Sequence, residues 1–195
     1  MKTARIARLA AALALIVNAA AIAQSEEAMT SHPGTSAIPA GATDVNDDKG
    51  PDAAKAGSQL RYLFIAGSSF APRDSAQPAA YAGAGCIRAS SGNSSLYAAD
   101  VQLPANSEVA YVRTYFYNDG VGSTIRTFFT KFDGAGNYVE HTSFPTPTNG
   151  TGYSSTLSPP ISVTIDPLNH SYIMLVNMGA ANSNLRFCGV RIQYY

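Results

Sequence analysis

From Ser58 to the C-terminus, apolar and polar positions alternate in short runs, and the gaps between runs are filled with Gly, Asp, Asn and Pro. The runs are "LRYLFIAG", "GCIRAS", "SLYAADVQL", "EVAYVRTYFYN", "TIRTFFTKFD", "NYVEHTSF", "ISVTID", "SYIMLVNM" and "LRFCGVRIQYY". They are rich in Val, Ile, Thr, Tyr and Phe, the residues that fit a pleated, half-buried surface. Turn chemistry separates several of them: "NDGVGS" at 118–123, "DGAGN" at 133–137, "TPTNGTG" at 146–152 and "DPLN" at 166–169. Asp-Gly between apolar runs is a hairpin signal. No window of eleven or more residues carries a helical period. The pattern predicts an all-β fold of about nine strands, an antiparallel β-sandwich or a barrel.

One run carries more information than the others. Read with a strict period of two, "EVAYVRTYFYN" places Ala110, Val112, Thr114 and Phe116 on one face. Val109, Tyr111, Arg113, Tyr115 and Tyr117 then share the other. A strand with one wet face alternates more cleanly than this. The expectation is a central strand whose Tyr-rich face is covered by a loop or a second subunit, or is exposed as a binding surface.

Residues before Ser58 have a different character. Lys2, Arg5 and Arg8 precede an apolar stretch from Leu9 to Ala23, and Ala21-Ile22-Ala23 fits a small-x-small cleavage site. This predicts a signal peptide at 1–23, with Gln24 as the first mature residue. The Ala-rich leader has a bacterial composition. Residues 24–57 lack aromatics and apolar periodicity and read as a flexible linker, leaving a β-sandwich domain at 58–195. Asp44, Asn46, Asp48 and Asp52 imitate a calcium loop, but Lys49 and Lys55 stand where it needs Gly and a bidentate Glu. No cysteine follows the leader to take a lipid, and no later apolar run is long enough to span a bilayer. A secreted or periplasmic product without membrane insertion after cleavage is expected.

Charge narrows the partners. The chain has 13 basic and 13 acidic residues, and loss of the leader leaves 10 against 13. Nucleic-acid binders carry a basic face, so no nucleic-acid partner is expected. The two cysteines, Cys86 and Cys188, are most simply one disulfide in an oxidising compartment, between neighbouring strands or across the sandwich. There is no C-x-x-C or H-x-x-x-H pair to hold zinc, so neither metal nor cofactor is expected.

Candidate chemistry is sparse. On paper Ser69, His141 and Asp74 could make a triad, but no G-x-S-x-G elbow is present. Asp119, Asp133 and Asp166 stand in turn contexts, which leaves Asp100 and Glu140 as candidate glycosidase acids. The stretch "GSSFAPRDSAQPAAY" at 67–81 reads as a long loop. Either Arg73 and Asp74 bind a ligand there, or it is an ordinary crossover loop whose Phe70 plugs the core and whose Arg73–Asp74 pair fixes its shape. Sugar-binding sandwiches stack pyranose rings on aromatic faces. With 11 Tyr and no Trp in the chain, the platforms nearest loops are Tyr81, Tyr97, Tyr138 and Tyr153. Sequons at Asn93, Asn149 and Asn169 indicate surface positions.

The segments "SSFAPRDS", "GAGCIRAS", "VQLPANSEVAYVRTYFYND", "GYSSTLSPPI" and "CGVRIQYY" together resemble a recurrent type of uncharacterised secreted bacterial protein. The resemblance implies a jelly-roll or related β-sandwich and export, and it brings no activity with it. The leading expectation is a non-catalytic secreted protein that acts by binding or by self-assembly as a homo-oligomer, through strand 109–117 and the terminal "VRIQYY". A module that binds a glycan or other cell-surface ligand through loop tyrosines is the second. A hydrolase using Glu140, His141 or Asp74 is the third.

Overall fold

The computed structural model describes residues 59–92 and 95–195. The leader and linker readings, and the sequon at Asn93, lie outside the described residues. Among the described residues, twelve strands form two antiparallel sheets. The larger sheet contains β1 (Arg61–Ala66), β3 (Ala79–Gly83), β4 (Cys86–Ala89), β6 (Glu108–Asp119), β9 (Thr151–Leu157), β10 (Val163–Thr164) and β12 (Leu185–Tyr194). The smaller contains β2 (Ala71–Pro72), β5 (Ser95–Val101), β7 (Ile125–Asp133), β8 (Tyr138–Pro145) and β11 (His170–Met178), in the order β2-β5-β11-β7-β8. Most connections carry the chain from one sheet to the other, as in a jelly-roll-like sandwich.

All nine runs read from the alternation are strands. The three additions, β2, β3 and β9, are short or built from small residues and carry little alternation. The stretch 67–81 is correspondingly more ordered than an irregular loop. It holds a 3-10 turn at Gly67–Ser69, then β2, then the start of β3. β9 takes up part of what reads as the turn at 146–152, because seven residues of β6, Arg113–Asp119, offer it a continuous ladder.

β6 and β12 form the centre of the larger sheet, paired over most of their length. β9 and β10 flank β6, and β1 and β4 flank β12. Two irregularities in the β6–β12 ladder change which residues face inward. Gln193 pairs with Tyr111 and Tyr194 with Val109, so Ala110 is an extra residue. A bulge flips strand parity. Val109 therefore joins Val112 and Phe116 in the core, whereas strict alternation would put it with the tyrosines. Arg113, Tyr115 and Tyr117 do share the outer face. Cys188 is the extra residue at the other irregularity, and inward positions switch there from Leu185 and Phe187 to Val190 and Ile192.

The core lies between the sheets. Phe116, Phe187, Leu185 and Ile192 of the larger sheet meet Tyr97, Ile125, Phe129, Met174 and Val176 of the smaller. Phe70 closes one end, edge-on to Phe187 with ring centroids 4.7 Å apart. A hydrogen bond crosses the interior from Thr114 Oγ1 to Thr127 Oγ1 at 2.7 Å, satisfying two buried hydroxyls at once. Buried Asn118 donates to the carbonyls of Ser123, Pro147 and Thr148 and accepts from Val121 N–H, which ties two loops to the end of β6.

Cys86 and Cys188 are bonded, with Cα atoms 3.9 Å apart. The bridge joins neighbouring strands, β4 and the bulge of β12. Gly67 packs on the same spot. A Cβ there would meet Phe187 O, and would stand 3.1 Å from the Cys188 carbonyl carbon. The bond closes a sequence separation of 102 residues, and a loop of that order is worth about 4.7 kcal/mol in the chain-entropy model. Among the described residues no helix is long and apolar enough to cross a membrane.

Replacing both cysteines, Cys86→Ser with Cys188→Ser, is expected to lower unfolding stability by roughly 2–5 kcal/mol. Urea unfolding of the variant beside the disulfide-bonded parent checks this. A loss below about 1 kcal/mol would mean that sheet pairing alone holds the last strand.

Candidate functional site

Each sheet has one face turned away from the core, and the two faces differ. On the larger sheet Tyr62 and Phe64 of β1, Arg186 and Arg191 of β12, Arg113, Tyr115 and Tyr117 of β6 and Tyr153 of β9 form a ladder of rings and guanidinium groups. Arg191 lies 5.5 Å from the Tyr62 ring centroid and 5.3 Å from that of Tyr115, and Arg186 lies 4.8 Å from that of Tyr117. Tyr117 and Tyr153 meet edge to face at 4.9 Å. Arg113 donates to Ser155 Oγ. Gly189 makes room for Phe64, because a Cβ at its φ of 142° would stand 2.9 Å from the Phe64 ring. Three tyrosine rings of this face, Tyr62, Tyr115 and Tyr117, have cation–π partners. Phe64 and Tyr62, 55% and 46% exposed, are its most open members.

The outer face of the smaller sheet has no such filling. Period-two alternation sends Leu96 and Ala98 of β5, Ile173 and Leu175 of β11, and Phe128 and Phe132 of β7 outward, while Tyr97, Met174, Val176 and Phe129 go inward. These outward apolar side chains are half-buried. At the outer hairpin, Phe129 pairs with Thr142 and Thr130 with Glu140, so His141 is the extra residue. That bulge keeps Glu140 and Tyr138 on the outward side with Thr130 and Phe132. The result is a groove of about 400 Å³ lined by Leu96, Phe128, Phe132 and Leu175, with Arg73, Thr130, Tyr138, Glu140 and Asn177 as its polar groups. Ligand sites commonly occupy roughly 300–1,000 Å³ and combine an apolar floor with a few placed polar groups. Tyr138 is 68% exposed and its ring centroid is 6.0 Å from that of Phe132.

A second cavity of about 420 Å³ opens at the end of the same sheet, between Asp100–Leu103 and Ile165–Tyr172. His170 Nδ1 stands 3.7 Å from Asp166 Oδ2 on its rim.

The residues singled out from the sequence are dispersed. Arg73 and Tyr138 line the same groove from opposite edges of the sheet, with Glu140 on the Tyr138 side. Tyr153 belongs to the Tyr–Arg ladder of the opposite sheet. Tyr81 is exposed on β3 at the edge of the larger sheet, where its hydroxyl accepts from Gly85 N–H. Tyr97 is fully buried, with 0% exposure, and is corrected from platform to core residue. It shares the parity of Ala99 and Val101, and its hydroxyl reaches Pro78 O at 3.5 Å. Asp74 makes a turn: its carboxylate accepts from Ala76 N–H and its carbonyl from Gln77 N–H. Asp133 and Asp166 are turn residues as well, each bonded to the Asn and backbone that follow it.

The paper triad does not assemble. Asp74 follows β2 and His141 lies on β8, at opposite edges of a five-stranded sheet. Four strand spacings separate them, about 19 Å. Ser69 sits beside β4, next to Ser68, whose N–H donates to Gly85 O. Glu140 and His141 also part company, since the His141 ring turns toward Phe129, with centroids 5.8 Å apart. Among the described residues no group of three or more His, Cys, Asp or Glu is placed to hold a metal.

No protein-family model matches the chain, and no curated protein matches it. Among solved structures the chain is similar to the C-terminal CBM6 of LamC, a marine laminarinase from Zobellia galactanivorans. That likeness has a TM-score of 0.45 and 15% identity, over 68% of this chain and 98% of that one. A carbohydrate binding module of family 29 is similar at TM-score 0.42 and 12% identity, over 70% and 90% of the two chains. The CBM36-1 domain of a multidomain xylanase from the hindgut metagenome of Trinervitermes trinervoides is similar at 0.41 and 9%, over 69% and 97%. At this degree of likeness none of them bears on what this chain binds.

Burial, and then the positive charges of Lys131 and His170, hold the His141 imidazole below its ordinary pKa of 6.5. The unfolded chain therefore takes up this proton at higher pH than the folded one. The stability from neutral His141 is complete above pH 6.5 and falls as acidification proceeds from there toward the lower folded value. The urea midpoint is expected to decline below about pH 6.5, and to decline less in His141→Gln. An identical decline in the variant would assign it elsewhere. Asp133 and Asp166, whose bonds to Asn137 and Asn169 lower their pKa from 3.8, contribute in a separate window, lost only at more acid pH.

Proposed function

We propose that the groove on the smaller sheet binds a neutral glycan outside the cell. The observation that carries this is the pairing of open aromatic faces, Phe132 and Tyr138, with Arg73, Glu140 and Asn177 around a cavity of about 400 Å³. A pyranose has two kinds of surface. Its C–H face packs on an aromatic ring, and its equatorial hydroxyls need donors and acceptors at the rim. Glu140 supplies acceptors, Arg73 supplies donors and Asn177 both. The two charges are of opposite sign, which leaves the lining neutral and favours an uncharged ligand. The leader-like N-terminus and the Cys86–Cys188 bond support an exported protein, since disulfides persist outside the cytosol.

Retention on insoluble cellulose, β-mannan, xylan, chitin and β-1,3-glucan tests the reading. Tyr138→Ala and Glu140→Gln are each expected to weaken retention on the bound polymer about tenfold or more, in line with loss of an aromatic or charged contact. Tyr81→Ala, outside the groove, should leave it unchanged. Failure of every polymer to retain the protein would sink the proposal.

A second reading is self-assembly through the larger sheet, favoured by exposed Phe64 and Tyr62 on its β1 strand. It predicts a dimer or larger mass by light scattering at micromolar concentration, reduced to monomer by Phe64→Ser. A monomeric mass in the unaltered chain would remove it.

A further inference from the structure

The linings of the two cavities share cross-strand rows of the smaller sheet. Asp100, Ile173, Thr130 and Glu140 are paired in sequence across β5, β11, β7 and β8. Asp100 lines the second cavity, whereas Thr130 and Glu140 line the groove. The next row repeats the arrangement, with Ser171 paired to Phe132 and Phe132 to Tyr138. Ser171 lines the second cavity, and the two rings line the groove. On the first row Ile173 stands between the two linings, and on the second the lining residues Ser171 and Phe132 are direct cross-strand partners.

The outward positions of β11 trace the path: Asn177 and Leu175 in the groove, Ile173 at the crossing and Ser171 in the second cavity. At the rise of a strand this covers about 20 Å. One pyranose ring is about as wide as one aromatic side chain and fills a fraction of that length. The chemistry also continues across the junction. Asp100, Gln102, His170 and Ser171 line the second cavity with acceptors and donors suited to hydroxyls, and Leu103, Ile165 and Pro167 supply apolar wall.

From these shared rows we propose that the two cavities are one cleft, and that the ligand is an oligosaccharide stretch of a polymer with several consecutive units bound. This rests on the glycan reading of the groove. The cavity at Asp100 and Gln102 is an added subsite, engaged by long ligands and left empty by short ones. Each unit that enters it adds contacts on a framework already ordered by the sheet, so affinity rises with ligand length until the cleft is filled.

Isothermal titration of the full chain with the disaccharide and the hexasaccharide of the β-1,4-glucan, β-1,4-mannan and β-1,3-glucan series tests this. The expected result is that the hexasaccharide of one series binds about tenfold or more tightly than its disaccharide. Asp100→Asn combined with Gln102→Ala, both at exposed positions, should remove that advantage and leave disaccharide affinity unchanged. Ile173→Trp, which raises a ridge between the cavities, should do the same by a different route. Equal affinity for both lengths, or an advantage that survives both variants, would overturn the single cleft and leave the groove as a glycan site. No binding of either length in any series would overturn the single cleft and the glycan reading together.

Discussion

Side-chain direction along a β-strand has a period of two, and in this sandwich the inward and outward sets depend on where that period holds and where it is interrupted. The ladders contain four irregularities, at Ala82, Ala110, His141 and Cys188. Each inserts one residue and exchanges the inward and outward sets beyond it. Without the insertion at Cys188, Leu185 and Phe187 could not be inward in the same strand as Val190 and Ile192. Without that at His141, Glu140 and Thr142 would fall on the same face. The bulge sends Glu140 to the groove, sets Thr142 opposite inward-facing Phe129 and displaces the imidazole sideways onto Phe129. The disulfide sits on one of these insertions, where local ladder bonding is weakest, and ties it to the neighbouring strand.

The two outer faces show two answers to the same problem. A jelly-roll-like sandwich made from strands with apolar residues of both parities must leave some apolar surface outside its core. On the larger sheet that surface is filled from within. Guanidinium groups lie against Tyr62, Tyr115 and Tyr117, and Phe64 lies in the space that Gly189 leaves. On the smaller sheet Leu96, Phe128, Phe132, Ile173 and Leu175 stay half-exposed. A contiguous apolar strip rimmed by polar groups is the usual mark of a contact surface, and isolated exposed hydrophobes are not. The difference between the faces, more than the number of tyrosines in the chain, directs attention to the groove.

Much of the fold could be read locally. Nine runs with β-branched and aromatic residues became strands, and an even pair of cysteines became a bridge. Tyr97 was also legible, because it shares parity with Ala99 and Val101 in "SLYAADVQL". Judging it by its nearness to a loop obscured that. β9 escaped notice because Thr, Gly and Ser carry no alternation, and its existence depends on the neighbouring β6. The site was less legible for a different reason. Apolar residues of both parities in "TIRTFFTKFD" and "SYIMLVNM" signal that a second face is apolar. Which strands lie side by side is decided by long-range pairing that no local window contains. Arg73 and Glu140 come from opposite edges of one sheet, and only the order β2-β5-β11-β7-β8 brings them to the same groove.

That order also explains why the groove suits recognition better than a loop site of the same composition. Phe128, Thr130, Phe132 and Glu140 lie on strands hydrogen-bonded to at least one neighbour, and β11 and β7 are paired on both sides. Their backbones are fixed before any ligand arrives, so little ordering entropy remains to oppose association. The side chains that retain freedom, Arg73 and Tyr138, stand at the ends. A fixed apolar floor with adaptable polar ends tolerates variation in what is bound at its margins while it holds the centre in one register. The same rigidity makes the rows Asp100–Ile173–Thr130–Glu140 and Ser171–Phe132–Tyr138 a fixed template, and a ligand longer than one row must match the spacing of strands that are themselves locked together.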